Sequence, residues 1–490
     1  MSFVSIAFLG FYAVAMALRF TVGRSGQGGP YVAGLLALSV VFYSWHVPAY
    51  FVLILVSTLT DFVAARALAT APSLARARRR AILAASIAVN LGLLGYFKYA
   101  GFFLELVSDV AMLLGADRGS DTALDIVLPI GISFYTFQSM SYTIDVYRGR
   151  LEPERSFARF ALYVAFFPQL VAGPIVRAGA FLYQIPRRRR IRAVVFLEGS
   201  YLILRGLFLK MVIADNLGQI VDAHWGDATA ADAPATLALS LAVFFSCQLF
   251  CDFAGYSDIA RGLAYQLGFR LPVNFNAPFL AGTFQDFWRR WHITLSQWMR
   301  DYVYISLGGN RTSRARSVGN LLLVMLVCGL WHGAHTNFVV WGAMHGAAAA
   351  LERMLGIPRR LSSAHGERRA ALVALAIAWF LVVQMLWIVS MAIFRSSTGQ
   401  EAWWMVVAVV QGLPAFISAG VPANEELIRL GWWFTLPVWL YHARAFAGER
   451  LPTRAASRVQ RYERAVYAGV MVYAILTLYA TSDGFIYFQF

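Results

Sequence analysis

The sequence predicts an all-α integral membrane protein with roughly 10 to 12 membrane crossings, since each helical crossing needs about 20 mostly apolar residues. Of the 490 residues, 59% are hydrophobic and only 14% are charged, whereas soluble domains carry about 25% charged residues. The apolar residues are grouped into long runs, at residues 32–45, 51–59, 81–97, 237–250, 321–330, 370–391 and 465–479.

The segments between these runs are short, and none of them resembles a separate soluble domain. We therefore expect a single polytopic membrane domain over residues 1–490. Many secondary transporters are built from internal repeats, and no repeat is evident in this sequence, which disfavours a transporter.

The net charge of +16 raises the question of nucleic-acid binding, but the distribution of the charge argues against it. The basic residues form short clusters between apolar runs, at residues 76–80, 187–192, 311–316, 359–360 and 444–464. Such clusters are typical of cytoplasmic loops under the positive-inside rule. The sequence thus predicts a partner that is a lipid bilayer and no nucleic acid.

Two histidines stand inside apolar, tryptophan-rich stretches. His292 lies in FWRRWHITLSQWMRDY (287–302), and His332 lies in CGLWHGAHTNFVVWG (328–342). An ionisable residue within a membrane segment is by default a functional-site hypothesis. The alternative is a buried histidine that hydrogen-bonds a neighbouring carbonyl group, and the residues alone leave both interpretations open.

Residues 284–304 contain aromatic and apolar side chains at steps of three and four, which predicts one helical face: Trp288, Trp291, Leu295, Trp298 and Tyr302. We expect an amphipathic helix at the cytoplasmic interface, with its tryptophans at headgroup level. The flanking Arg289 and Arg290 would suppress protonation of His292, so that a neutral imidazole could orient or deprotonate a molecule arriving from the cytosol.

A basic loop that contains glycine follows at residues 308–316. Arg311 and Arg314 in this loop could attract an anionic donor molecule, or they could anchor the loop at the membrane. Together with Arg289 and Arg290, they are the candidate donor-binding residues.

Glycines spaced four apart flank His332, at Gly329 and Gly333 and again at Gly342 and Gly346. Small residues at this spacing let membrane helices approach closely. The spacing of His332 and His335 would also permit two metal ligands on one helix face. Because no carboxylate or cysteine supplies a suitably spaced third ligand, we predict no metal site.

Three charged residues interrupt the apolar run after residue 250. Asp258 and Arg261 are three apart and could pair along one helix, in either a structural or a catalytic role. Asp252 has no such local partner, which makes it the better candidate to orient a histidine from another helix.

Five strings in this order resemble the signatures of the membrane-bound O-acyltransferase (MBOAT) family: LPIGISFYTFQSMSYTIDVYRG, FFPQLVAGPIVR, DFAGYSDIARGLAYQLGFRLPVNFNAPF, FWRRWHITLSQWMRDYVYISLGGNR and GLWHGAHTNFVVWGAMHG. They cover about residues 96–352. The similarity is greatest to the bacterial branch that serves O-acetylation of alginate and other exopolysaccharides.

The resemblance implies a ring of transmembrane helices around a thin centre with a tunnel from the cytosol to the outside. It implies N-terminal helices over residues 1–95, a catalytic core over 96–352 and C-terminal helices over 353–490. The family's essential histidine corresponds to His332, and its second polar residue, a histidine or an asparagine, corresponds to His292. The string after WHGA departs from the family pattern, so His335 inherits no role.

The implied function is transfer of an acetyl group from a cytosolic donor, acetyl-CoA, across the bacterial inner membrane. Acetyl-CoA would be a substrate, with no permanently bound cofactor, and His332 would be a general base or an acyl carrier. Periplasmic or extracellular acetyltransferase partners would then place the acetyl group on a polysaccharide such as alginate. D-alanyl transfer to teichoic acid from a carrier protein, peptidoglycan O-acetylation and acyl or anion transport without catalysis are the alternatives.

Overall fold

All regular secondary structure in the part of the chain that the computed structural model describes is helical. These residues are 1–25, 28–70, 75–115, 126–186, 192–230, 233–234, 236–362, 369–420, 426–450, 456–480 and 485–486, and none of them lies in a β-strand. The all-α membrane fold class predicted from the apolar runs is confirmed.

Twenty-one α-helices follow one another within these residues. The first eleven are α1 (Ile6–Phe20), α2 (Gly29–Tyr43), α3 (Tyr50–Thr70), α4 (Arg76–Leu94), α5 (Ala100–Leu113), α6 (Ile132–Tyr147), α7 (Phe157–Ala165), α8 (Phe167–Leu170), α9 (Ala178–Leu182), α10 (Ala193–Leu207) and α11 (Asp215–His224). The others are α12 (Leu237–Leu267), α13 (Phe284–Arg290), α14 (Ile293–Trp298), α15 (Arg314–His332), α16 (Thr336–Leu355), α17 (Ile357–Ser362), α18 (Arg369–Arg395), α19 (Gly399–Ala419), α20 (Glu426–Arg450) and α21 (Ala456–Leu478).

Within the described residues, six stretches are long and apolar enough to cross a membrane. They are Tyr50–Ala69, Arg76–Leu113, Leu237–Leu267, Arg314–His332, Ala370–Arg395 and Gly399–Ser418. Two shorter apolar helices, α1 and α2, add to them. The protein is therefore a multi-pass membrane protein, and the larger number of crossings expected from the apolar runs stays a prediction.

The chain divides into two compact units. One contains Met1–Ile203 and Ser257–Pro272, and the other contains Leu204–Tyr256 and Val273–Phe490. Both predicted site histidines belong to the second unit.

A buried carboxylate organises part of the first unit. Asp61 on α3 accepts hydrogen bonds from Asn90 Nδ2 at 2.9 Å and Thr143 Oγ1 at 2.6 Å, and also from the hydroxyls of Ser86 and Ser139. Four donors from α4 and α6 thus satisfy one buried acceptor group, which fixes these helices against α3.

The antiparallel helices α15 and α16 form the close contact that the glycine spacing predicts. A Cβ atom added at Gly329 would overlap the carbonyl oxygen of Phe338, and one added at Gly342 would overlap the carbonyl oxygen of Met325. The start of α15 and the end of α16 are both capped. Ser313 Oγ accepts a hydrogen bond from Arg316 N at 3.3 Å before α15, and Gly356 adopts φ 66° after α16. The predicted close approach is confirmed.

The basic clusters lie in different environments. Residues 76–80 begin α4, and residues 311–316 lead into α15. Residues 187–191 of the second cluster lie outside the described residues, as do residues 451–455 of the last one. The side of the membrane on which the clusters lie stays a prediction.

Candidate functional site

The turn between α15 and α16 positions His332. This residue is the last of α15, and the turn continues through Gly333, whose backbone is extended at φ −160°. His335 then caps α16, because its Nδ1 accepts a hydrogen bond of 3.2 Å from Asn337 N. His335 thus has a structural role at the helix start, whereas His332 faces a ring of aromatic side chains.

The imidazole of His332 is buried, with 4% of the residue exposed. Its ring centroid lies 5.1 Å from that of Trp331, 5.0 Å from that of Trp341 and 5.4 Å from that of Phe394, each in an edge-to-face arrangement. Three elements, α15, α16 and α18, supply these rings. A histidine here is screened from bulk water, which is the setting in which proton transfer can be directed to a bound substrate.

The structure corrects the continuous helix expected over residues 284–304. Helix α13 ends at Arg290 and α14 begins at Ile293. The intervening Trp291 and His292 leave the helical path, with His292 at φ 40° and ψ 55°. Trp291 is 1% exposed and lies in the core of the protein, and the expected headgroup level of these tryptophans stays a prediction.

The interruption is held by the segment that precedes it in the chain. Asn276 N donates to Arg290 O at 2.9 Å, and Ile293 N donates to Asn274 O at 2.9 Å. These bonds satisfy backbone groups that the break would otherwise leave unpaired. The break is therefore a built feature that directs His292 inward.

Asn274 fixes the tautomer of His292. Asn274 Oδ1 accepts hydrogen bonds from Thr294 N at 3.3 Å and from Thr294 Oγ1 at 2.9 Å, which identifies it as the carbonyl oxygen. The same oxygen lies 3.2 Å from His292 Nδ1. In the neutral ring, Nδ1 therefore carries the proton and Nε2 is the basic nitrogen.

Burial keeps His292 neutral. The residue lies outside the six candidate spans and is fully enclosed, and burial lowers the pKa of its imidazole to about 3, against a smaller opposing effect of its backbone hydrogen bond. The neutral imidazole expected from the sequence is thus supported, but the cause is desolvation rather than the neighbouring arginines.

One indole ring, that of Trp331, contacts both predicted histidines. The ring of Trp331 lies 5.7 Å from His292 and 5.1 Å from His332, between centroids. The ring of Phe253, on α12, closes the other side of His292 at 4.6 Å. Residues 40 positions apart in the sequence thus share one aromatic pocket.

The expectation that Asp252 orients a histidine is wrong. Asp252 Oδ1 lies 2.8 Å from Lys210 Nζ, and Asp252 Oδ2 accepts a hydrogen bond of 2.6 Å from Ile486 N. Lys210 also pairs with Asp215 at 2.8 Å. A buried carboxylate needs a cation or hydrogen-bond donors, and here a lysine 42 positions earlier in the chain provides the cation.

The other charged pair behaves as predicted. Arg261 Nη1 lies 3.2 Å from Asp258 Oδ1 on the same helix. The side chains of both residues are largely buried, which favours the structural role over the catalytic one.

The four candidate donor-binding arginines differ in their surroundings. Arg289 is exposed, whereas Arg290 is paired with Asp286 and with Glu449, at 2.9 Å each. Arg311 and Arg314 are exposed before and at the start of α15, and Arg314 Nη2 donates to Met354 O at 2.7 Å. Arg290 is thus neutralised by two carboxylates, and the three exposed arginines are better placed than Arg290 to meet a soluble anion.

Sequence reasoning missed three residues of this region. Asn274 and Lys210 contact the predicted residues only through tertiary structure, and His345 lies one helical turn after Trp341 on α16. The strings VNFNAPF and WGAMHG contain Asn274 and His345, so a polar residue within an apolar motif was the available signal for both.

Comparison with known proteins covers this same region. The family model described as MBOAT, membrane-bound O-acyltransferase family, matches residues 151–394. The matched segment contains His292, His332 and the helices that enclose them.

Named relatives extend the match beyond that segment. The probable alginate O-acetylase AlgI of Pseudomonas aeruginosa is 39% identical over 381 residues, which cover 76% of this chain and 69% of the relative. The peptidoglycan O-acetyltransferase of Helicobacter pylori is 36% identical over 348 residues, 65% of this chain and 64% of the relative. The teichoic acid D-alanyltransferase of Bacillus subtilis is 30% identical over 228 residues, 44% of this chain and 56% of the relative.

These matches agree with the helical membrane architecture. The chain belongs to the membrane-bound O-acyltransferase family and is a multi-pass membrane O-acyltransferase.

Proposed function

We propose that the protein takes an acetyl group from cytosolic acetyl-CoA and passes it through the bacterial cytoplasmic membrane for O-acetylation of an extracellular polysaccharide such as alginate. The observation that carries the proposal is the position of His332, buried among Trp331, Trp341 and Phe394 and sharing an indole ring with His292. This enclosure keeps the imidazole of His332 away from bulk water, which favours directed transfer of a proton or an acyl group at this residue.

In the first form of the mechanism, His332 acts as a general base. One of its ring nitrogens accepts the proton of the acceptor hydroxyl while that oxygen attacks the thioester carbonyl carbon. The C–O bond forms, the C–S bond breaks, and the proton passes from His332 to the departing thiolate. The products are the acetyl ester and free CoA.

In the second form, His332 carries the acetyl group. Its neutral nitrogen attacks the thioester carbonyl carbon, the C–S bond breaks, and the proton of the acyl-imidazolium passes to the departing thiolate. The acceptor hydroxyl oxygen then attacks the acyl-imidazole, the C–N bond breaks, and the hydroxyl proton returns to the ring as the acetyl ester forms. The two forms differ in one observable, a mass increase of one acetyl group on the histidine.

The name of the Pseudomonas aeruginosa relative supports acetyl as the group transferred and alginate as the class of acceptor. Separate periplasmic acetyltransferases would complete the transfer to the polymer. The relatives named for peptidoglycan and for teichoic acid favour two other acceptors, peptidoglycan and teichoic acid, the second with D-alanine in place of acetyl.

A purified preparation tests the proposal directly. We expect His332→Ala to lower transfer of radiolabelled acetyl from acetyl-CoA by about 10²-fold or more, the usual contribution of a general base, at unchanged membrane abundance. The matched control is His335→Ser, which replaces the neighbouring histidine but keeps an oxygen that can cap α16. Equal transfer by His332→Ala and His335→Ser would refute the assignment.

The same preparation decides among donors and acceptors. A D-alanyl carrier protein that replaces acetyl-CoA as the donor would identify the teichoic acid alternative. Loss of acetyl groups from peptidoglycan rather than from exopolysaccharide in a deletion strain would identify the peptidoglycan alternative.

A further inference from the structure

A third buried histidine lies one helical turn beyond the pocket of His332. His345 on α16 is 1% exposed, and three indole rings enclose its imidazole. The ring centroids lie 4.5 Å away for Trp341, 5.4 Å for Trp288 and 6.1 Å for Trp387. These four residues, which we name the His345 cluster, come from α13, α16 and α18.

The cluster contains buried polar atoms for which no described residue provides a hydrogen-bond partner. Neither ring nitrogen of His345 and none of the three indole Nε1 atoms has a hydrogen-bond partner among the described residues. Nine in ten or more buried polar groups in proteins are paired, and each unpaired one costs about 1–3 kcal/mol. Five such atoms in one packed cluster indicate partners that come from outside the chain.

The chemistry of these atoms defines the partner. An indole N–H can only donate, and a neutral imidazole has one donor and one acceptor. The cluster therefore offers four donors and one acceptor in its neutral form. The matching ligand is rich in acceptor oxygens, as a thioester carbonyl with its adjoining amide groups is.

The cluster adjoins the proposed reaction centre. Trp341 contacts both His345 and His332, at 4.5 Å and 5.0 Å between ring centroids. Residues 341 and 345 are four apart on one helix and therefore lie on the same face. An acyl group bound beside His332 would therefore also adjoin Trp341, the indole ring that contacts His345.

We propose that His345 is a further catalytic residue, which donates its ring N–H to the carbonyl oxygen of the acyl donor's thioester. The proposal rests on the acyl transfer assigned to His332. When the acceptor oxygen attacks the carbonyl carbon, the electron pair of the C=O double bond moves onto the carbonyl oxygen. The electron pair returns to re-form the double bond as the C–S bond breaks. His345 keeps its proton throughout, and the tryptophans hold its ring in place.

Two substitutions separate hydrogen bonding from packing. His345→Phe keeps an aromatic ring against the three tryptophans but has no N–H, and His345→Gln keeps a donor. We expect His345→Phe to lower kcat for acetyl-CoA by about 10²–10³-fold, as for other lost oxyanion donors, with little change in KM. We expect His345→Gln to recover part of this loss.

A purely structural histidine would give the opposite ranking. Wild-type kcat in His345→Phe, or lower activity in His345→Gln than in His345→Phe, would overturn the proposal. Should His345→Phe fail to elute as a folded protein, His345→Met serves in its place, because methionine also packs against aromatic rings without an N–H donor.

A spectroscopic measurement on the wild-type protein is independent of turnover. The infrared carbonyl stretch of acetyl-CoA labelled with ¹³C at the thioester should shift to lower frequency on binding, and His345→Phe should abolish the shift. A shift that His345→Phe leaves unchanged overturns the proposal for His345 while the His332 test stands. A His345-dependent shift together with full transfer by His332→Ala overturns the role of His332 alone, and absence of acetyl-CoA binding overturns both.

Discussion

At the scale of single residues, the backbone of His292 explains which side chains this position can hold. Its φ of 40° places it in the left-handed region, which histidine and asparagine enter several-fold more often than most residues. Both side chains can also donate to Asn274 Oδ1, as His292 does. The alternation of histidine and asparagine that the family resemblance implies here thus has a physical basis in conformation and in hydrogen bonding.

We therefore expect His292→Asn to fold and His292→Val to be destabilised by about 1–3 kcal/mol, the cost of a non-glycine residue held in a disfavoured conformation. Valine is branched at Cβ and is an outlier at positive φ. Thermal unfolding of both variants in the same detergent measures the difference. Equal midpoints would show that the break at residues 291–292 does not require the left-handed conformation.

His292 also gives the protein a defined response to acid. Its pKa is lowered to about 3 from an ordinary value of 6.5, so the unfolded chain binds a proton below pH 6.5 that the folded protein does not. The stabilising contribution of the neutral ring is complete above pH 6.5 and falls by up to about 1.4 kcal/mol per pH unit below it. Between pH 6.5 and 5, the thermal-unfolding midpoint of the wild type should fall relative to that of His292→Asn. Midpoints that change in parallel with pH would contradict the lowered pKa of His292.

The residues that could be predicted from the sequence are those that are unusual among their immediate neighbours in the sequence. His292 and His332 are ionisable groups in apolar strings, and Asp258 and Arg261 are three apart on one helix. Asp252 was assigned wrongly because its partner, Lys210, is brought to it by the fold and by no sequence pattern. His345 was missed because a single histidine in an apolar helix is also typical of a protein core.

At the scale of secondary-structure elements, residues 284–304 show how periodicity can conceal a break. The aromatic residues continue at steps of three and four across Trp291 and His292, since two short helices and a turn can bury the same residue types as one helix. The backbone hydrogen bonds to Asn274 and Asn276 stabilise the break between the two helices. The spacing of the aromatic residues in the sequence does not reveal these bonds.

The pair formed by α15 and α16 leads to a prediction about glycine. We expect Gly329→Ala to destabilise the protein by about 1–3 kcal/mol, as overpacking does, because the added methyl group would meet backbone atoms of α16. It should also lower acetyl transfer, since His332 follows on the same helix.

Gly319→Ala on α15 is the matched control. Its added Cβ atom meets nothing within 4 Å, and alanine favours the helix. Thermal unfolding and acetyl transfer are measured for both variants. If Gly329→Ala unfolds at the same temperature as Gly319→Ala, the close contact of α15 and α16 contributes little to stability.

At the scale of the whole molecule, the net charge of +16 favours an anionic substrate such as acetyl-CoA at the basic ends of the helices. We expect Arg311→Gln with Arg314→Gln to weaken acetyl-CoA binding by about 1–2 kcal/mol, five- to thirty-fold, the value of two exposed ion pairs at most. The dependence of the Kd on NaCl concentration should flatten, because salt screens exposed charges.

The control for this variant is Arg78→Gln with Arg80→Gln. These residues belong to the exposed start of α4, and the double substitution changes the net charge equally. Titration of both variants with acetyl-CoA at two NaCl concentrations separates a local site from general attraction. Equal affinities would mean that residues 308–316 are an anchor and not a donor site.

The glycine-lined pairing of α15 and α16 also bears on how this part of the chain enters the bilayer. The helices contain 19 and 20 residues and are joined by residues 333–335, and Arg314 at one end binds the carbonyl oxygen of Met354 at the other. Only α15 of this pair is among the six candidate spans, so α16 would enter the bilayer through its contact with α15, while the arginines at the free ends of both helices stay behind. On that route, the turn that bears His332 leads the way, and the pocket is assembled around it by α18 only after that helix has been made.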